Sequence, residues 1–368
     1  MRMDKKFWVG LAISVVLLAL FVRTVDLEAM LSALADADYA LLVPAVALYM
    51  VSVGFRTLRW QRLLRHLRHV SFRRLYPVVV VGYMANNLLP VRLGELVRSH
   101  YVGERENISK VSALVTIFIE RLLDALTLLV FVAVIAFFVP LVGVAEGFSE
   151  KSGIAWPMLL VAGSVPFVAA FGGLVTVALA PGRAEAFAEL IIVRLPARAI
   201  PRLRSVMATF FLGVAPLGDL RSLPGLLLLS APIWLFEAGL FFVIGYAFGL
   251  DEVYQSPARM AAAMLLVTAI ANISSSIPAA PGGLGLFELV ARETLVLLPL
   301  ATVDRAVAAG YVAVVHATLL LPMIVLGQVF LWIEQASLRR LSREGRNLSD
   351  KTGGDLVAAS STESEEPQ

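Results

Sequence analysis

The chain contains no cysteine, which excludes disulfides and thiolate metal sites and leaves little room for redox chemistry. Charge is scarce as well: Asp, Glu, Lys and Arg make up 16% of 368 residues, where a soluble protein carries about 25%. Histidine occurs four times. His66 and His69 have a metal-like spacing, but the arginines around them repel a cation. There is no phosphate-binding loop of the Gly-x-x-x-x-Gly-Lys type, so ATP hydrolysis by the chain itself is excluded. Gly282-Gly283-Leu284-Gly285 is not a nucleotide fingerprint, because no strand precedes it. No cofactor is called for.

Apolar residues are abundant, at 59%. They gather in runs at 7–22, 39–58, 111–139, 154–180, 223–249 and 305–333. A membrane-spanning helix needs about 20 such residues, so the fold class is all-α, a polytopic helical bundle in a membrane. Arg2, Lys5 and Lys6 precede the first run and no small-residue cleavage site follows it, which predicts an uncleaved helix. The net charge of +3 and pI of 9.2 do not point to nucleic acid, because the arginines punctuate the apolar runs.

Arginine placement predicts sidedness. Phe55–Tyr76 holds seven Arg and no acid, 181–222 holds six Arg, and Arg339, Arg340, Arg343 and Arg346 follow the last run. These segments and both termini are expected in the cytoplasm, at the cell membrane. Acidic loops with Asp26, Glu28, Asp36 and Asp38, with Glu146 and Glu150, and with Asp251 and Glu252 are expected outside. That alternation requires 75–98 to be a re-entrant hairpin from the cytoplasm and 258–299 a hairpin from outside. Broken backbone at membrane depth survives only where protein or a wet cavity surrounds it, so two such hairpins imply an interior polar site. The stretch 56–74 reads as an anchor on an anionic lipid surface, and 181–222 as an interfacial amphipathic segment. Residues 1–335 form the membrane domain, with two halves of about 1–150 and 151–335. The tail 336–368, basic and then acidic, has a disordered composition.

The two broken segments resemble each other. Asn86-Asn87-Leu-Leu-Pro90-Val-Arg92-Leu-Gly94-Glu95-Leu-Val-Arg98 runs from a polar cluster through Pro and Gly to Glu-Leu-Val and Arg. Asn272, Ser274–Ser276, Pro278, Pro281, Gly282, Gly283, Gly285, Glu288-Leu-Val and Arg292 follow the same order with different spacing. Paired Gly/Pro-broken segments in two oppositely oriented halves point to a transporter's central site.

Several side chains are candidates to line it. Arg92 suits a lipid phosphate through two parallel hydrogen bonds, and Glu95 suits a cationic headgroup or fixes that arginine; Arg98 completes the set. The alternative for these three is a cytoplasmic loop with surface ion pairs. Glu120 and Asp124 are four residues apart in an apolar run and share a helix face, with Arg121 beside them. They either line a polar path or hold helices together. Pro281, Gly282, Gly283, Gly285 and Glu288 form a turn whose glycines permit close approach to a ligand, or simply a tight helix–helix turn. Asn86, Asn87 and Asn272 either face a headgroup or bond between helices. Glu237 and His316 are isolated polar residues in late spans, each a proton carrier or a satisfied core residue. Asp36-Ala-Asp38 matches a metal-binding pair formally but reads as a solvated turn.

On the segments NNLLPVRLGELVR (86–98), IERLLD (119–124) and PAAPGGLGLFE (278–288), the chain resembles the lysylphosphatidylglycerol synthase transmembrane family, also called flippase-like domain proteins. The resemblance covers about 1–335. It implies a domain that moves a lipid with a modified or phosphate-linked headgroup between leaflets, with membrane lipid as substrate. In fused members a soluble aminoacyl-transferase follows the membrane part. That segment is expected to be absent here, which favours a transporter over an enzyme and suggests a separate lipid-modifying transferase as partner. The competing readings are a membrane-embedded transferase in lipid-linked sugar or aminoacyl-lipid metabolism, and a scaffold for envelope enzymes.

Overall fold

The computed structural model describes residues 26–89, 93–194, 196, 198–219, 223–275 and 281–362. The first apolar run, 7–22, lies outside them. Among the described residues the chain forms fourteen α-helices and no strand. In chain order they are α1 Leu27–Ala35, α2 Leu42–Leu64, α3 Phe72–Leu88, α4 Gly94–Glu106, α5 Lys110–Phe138, α6 Val142–Ser152 and α7 Trp156–Leu179. Then follow α8 Pro181–Ile192, α9 Ile200–Val214, α10 Leu223–Ala247, α11 Leu250–Tyr254, α12 Pro257–Ser274, α13 Leu286–Leu297 and α14 Arg305–Thr362.

Six stretches among the described residues are helical, long and apolar enough to cross a membrane: 39–64, 110–138, 156–179, 223–247, 257–274 and 305–334. Five of them reproduce the apolar runs. The one shifted boundary is informative, because α2 continues past residue 58 to Leu64 and carries Arg56 and Arg59 within the helix. Lipid supplies no hydrogen-bond partners, so each backbone amide must bond within its own segment, and helices achieve that. The surface fits such a solvent. Phe137, Phe138 and Leu228 are among the most exposed side chains, and α7 buries none of its residues.

Both broken stretches are helical hairpins. In the first, α3 and α4 pack antiparallel, with Gly94 against the Gly82 carbonyl and Asn86, and Gly82 against Arg98. A Cβ at Gly94 would lie 2.1 Å from the Gly82 oxygen, so only glycine lets these helices meet. In the second, α12 packs on α13 across a turn at Pro281–Gly283. An arm of 18 residues such as α12 reaches about 27 Å, close to the ~30 Å hydrocarbon thickness. The last helix, α14, packs along α3 and α13 and joins the two hairpins. Its glycine at 327 faces Met84 of α3.

One expectation is narrowed by burial. The stretch 56–74 is not a uniform anchor. Arg62, Arg65, Arg68, Arg73 and Arg74 are exposed, but Arg56 and Arg59 are buried. Arg56 lies eight residues inside the end of α2, about 12 Å along its axis, where the carboxylates of neighbouring helices reach it.

Candidate functional site

The cavity between the two hairpin tips has a volume of about 160 Å³. The first hairpin contributes Tyr83, Asn86 and Asn87 from the last turns of α3. The second contributes Asn272 and Ser275 from the end of α12, and Gly282 and Gly283 from the turn. The tips touch. A Cβ on Gly282 would stand 3.6 Å from the Asn87 carbonyl oxygen and 3.2 Å from Leu320 of α14. Asn87 in turn donates to the Leu320 carbonyl at 3.4 Å. Gly282 and Gly283 have φ of 65° and 77°, a region where side chains other than glycine are strained. The glycines therefore let the backbone form the cavity's rim.

Behind the first tip lies an ion-pair network. Arg56 contacts Glu237 at 2.6 Å and Asp124 at 3.4 Å. Arg59 contacts Asp124 at 2.8 Å and Glu120 at 3.8 Å, and donates to Ser230 at 2.7 Å. Arg98 contacts Glu120 at 2.7 Å and lies 3.7 Å over the Trp60 ring. Arg121 contacts Glu95 at 3.5 Å and Asp124 at 3.6 Å, and donates to the Tyr83 hydroxyl at 3.2 Å. Four arginines thus face four carboxylates, and the network is electrically balanced. Isolated buried charges would cost several kcal/mol each, and pairing offsets most of that. The pairs link α2, α4, α5 and α10, elements far apart in sequence.

Arg121 differs from the other three arginines. Its side chain is 24% exposed, against 6% or less for Arg56, Arg59 and Arg98, and its shortest ion pair is 3.5 Å, where each of the others has one of 2.6–2.8 Å. It is the cation most free to take another partner. On the opposite wall Asn272 donates to Glu237 at 3.1 Å, and Trp234 lies 4.4 Å under the Arg56 guanidinium. Trp234 Nε1 and Asn86 Oδ1 are buried polar atoms without a hydrogen-bond partner in the protein. Both residues line the cavity, and such atoms require water or a ligand.

The turn of the second hairpin is tied to α14 by a polar link, and Arg305 of α14 pairs with Glu293 of α13 at 2.7 Å. His316 of α14 meets Glu288 Oε1 through Nδ1 at 2.7 Å and the Gly282 carbonyl through Nε2 at 2.9 Å. Its ring stacks on Phe287 at 4.2 Å. The other Glu288 oxygen accepts from the Gly285 amide at 2.7 Å and caps α13.

Nine of the residues singled out in the sequence line the cavity: Asn86, Asn87, Arg121, Glu237, Asn272, Ser275, Gly282, Gly283 and His316. Gly94, Glu95 and Arg98 border a smaller space of about 10 Å³ beside it, which Asn86 and Arg121 share. Glu120, Gly285 and Glu288 do not line the cavity: Glu120 holds arginines, Gly285 starts α13 and Glu288 holds His316. Pro281 begins the 3₁₀ turn, while Pro90 and Arg92 lie outside the described residues. Asp38 accepts from the Ala40 amide at 3.0 Å and caps the turn before α2, as a solvated turn predicts. Tyr49, Arg56, Tyr83, Trp234 and Phe287 also line the cavity and escaped the sequence reading. Arg56 carried one available signal, its place within reach of an apolar run. The aromatics carried none, since membrane helices are full of them.

Residues 7–327 match the lysylphosphatidylglycerol synthase TM region family. A Haloferax volcanii protein named glycosyltransferase AglD is 26% identical over 330 residues, covering 84% of this chain and 51% of that protein. A UPF0104 membrane protein of Methanothermobacter thermautotrophicus is 33% identical over 125 residues, covering 33% of this chain and 37% of that protein. The chain spans about half the length, or less, of these curated relatives. With most of its length inside the match, the chain belongs to the lysylphosphatidylglycerol synthase TM region family.

Proposed function

We propose that the protein is a flippase-type transporter that moves a lipid with a phosphate-bearing headgroup between leaflets, binding the headgroup in the cavity between the hairpin tips. The observation that carries this reading is the meeting of both broken segments over one polar cavity, lined by Arg121, Arg56, Glu237 and three asparagines. Arg121 takes the phosphate, exchanging its long contact with Glu95 for a two-point hydrogen bond. The acyl or prenyl chains stay in lipid. A cavity of about 160 Å³ matches one small group, on the scale of the ~150 Å³ cavities that hold benzene, and is too small for an oligosaccharide. The two halves rock about this site to give alternating access. The cytoplasmic termini and plasma-membrane setting read from arginine placement complete the proposal.

The test is leaflet exchange of fluorescent lipids in proteoliposomes. Exchange of phosphate-headgroup lipids that falls about tenfold or more in Arg121→Gln supports the reading, a loss of the size expected for one charge-assisted contact. Wild-type exchange equal to protein-free liposomes overturns it.

One observation favours a second reading, a membrane-embedded transferase or the membrane partner of one. The relative that matches 84% of this chain is named a glycosyltransferase. Because the match covers 51% of that protein, the named activity can reside in either half. Product formed by the purified chain from an activated sugar and a lipid phosphate would favour this reading over transport.

A further inference from the structure

We infer that His316 and Glu288 form a proton-binding site that latches the Pro281–Gly283 turn to the last helix, and that this proton couples to headgroup movement. The coupling rests on the transporter reading above; the latch does not.

Hydrogen counting leads to the site. Both partners of the His316 ring are acceptors: a carboxylate oxygen on Nδ1 and a carbonyl oxygen on Nε2. A neutral imidazole has one N–H and can satisfy only one of them. Making both contacts requires a doubly protonated ring beside the carboxylate, or a neutral ring beside a protonated Glu288. Either way the pair holds one proton more than a neutral histidine and a carboxylate. The Gly285 amide donates to the second Glu288 oxygen, which favours the ionised carboxylate and the imidazolium.

When that proton leaves to water in the cavity, one N–H remains for two acceptors. The bond to the carboxylate is charge-assisted and the stronger of the two, so the N–H stays on Nδ1. Nε2 then presents a lone pair to the Gly282 carbonyl oxygen, and the contact turns from attractive to repulsive. Phe287 stacks on the ring and Glu288 holds its other edge, so the ring stays. The turn is the part that moves, and its glycines at 282, 283 and 285 allow it to. Because Gly282 lies against Asn87 and Leu320, its release opens the contact between the two hairpin tips. The protonated state is therefore closed at this rim, and the deprotonated state is open.

The surrounding charges leave this proton to the pair. From α2, α5 and α10 the cavity receives Arg56, Arg121 and Glu237, each held by a partner of opposite charge. Tyr49 and Tyr83 are its other ionisable lining residues. On α13, Arg292 is paired with Glu293. On α14 itself, the Tyr311 hydroxyl donates to the Phe241 carbonyl. Glu28 of α1 is exposed at that helix's first turn.

The absence of cysteine allows a single spin label at Leu284→Cys, next to the turn. In proteoliposomes its spectrum should sharpen in one step as rising pH removes the shared proton. His316→Gln should abolish that step, and so should Glu288→Gln, which keeps the proposal testable if one variant does not fold. Lipid exchange in the same vesicles should change roughly fivefold or more across the step, and less than about twofold in either variant. A wild-type spectrum that stays constant, or an unchanged step in both variants, overturns the latch. A titrating latch without any lipid exchange overturns the transporter reading and the coupling, and leaves the proton site standing. Exchange that ignores pH while the latch titrates overturns the coupling alone.

Discussion

The two hairpins reach the same cavity but are held in opposite ways. The first rests on a balanced network of four arginines and four carboxylates, and on a glycine contact between α3 and α4 that excludes even a methyl group. The second ends in a turn of left-handed glycines, tied to α14 by one histidine and one glutamate. The first wall is over-determined and the second is conditional. In the proposed transport cycle the fixed wall recognises the headgroup and the movable one admits and releases it.

Breaking the fixed wall should have the largest effect. Asp124→Ala removes the carboxylate shared by Arg56, Arg59 and Arg121 and leaves four arginines facing three carboxylates, a buried charge imbalance that costs about 3–5 kcal/mol. Thermal unfolding in detergent should show it as a large loss of Tm, and a Tm within error of wild type would contradict the network's structural role. Next comes Gly94→Ala. A Cβ there must displace backbone, which should cost about 1–3 kcal/mol or more. Gly282→Ala should cost less, roughly 1–2 kcal/mol from its positive φ, because its nearest neighbour is the flexible end of Leu320. If the two glycine variants unfold in the reverse order, the contrast between the walls is wrong.

Arg121→Gln sharpens the comparison in another way. Arg121 is the most exposed arginine of the network, with contacts at 3.5 and 3.6 Å, so Tm should fall less than in Asp124→Ala while lipid exchange collapses. The smallest effect belongs to Glu189→Gln. It removes an exposed ion pair with Arg204 between α8 and α9, away from both hairpins, and should leave Tm and exchange unchanged.

Much of this arrangement was legible in the order of residues. The spans were readable because apolar length and the thickness of a bilayer are matched quantities. The site's neighbourhood was readable because Gly, Pro and Asn interrupt apolar runs at 86–94 and 272–285, and membrane helices tolerate such breaks only around protein or water. Asn86, Asn87, Asn272, Gly282 and Gly283 follow from that rule, and Arg121 from a charge set within an apolar run.

The partners of each charge were not legible. In the sequence Arg56 and Arg59 belong to a basic run, and Glu237 stands alone in an apolar one. Pairing across 181 residues, as between Arg56 and Glu237, depends on how α2 lies along α10, which no local pattern encodes. His316 likewise offered two readings, core residue or proton carrier, and no local pattern foretold that Glu288 and the Gly282 carbonyl would stand at its two nitrogens. Composition and periodicity, which act through local hydration and backbone bonding, determined that the chain is a membrane bundle with two broken segments. Which side chains meet at those breaks was decided by the tertiary structure alone, because buried charges take the partners that helix packing brings within a few ångströms.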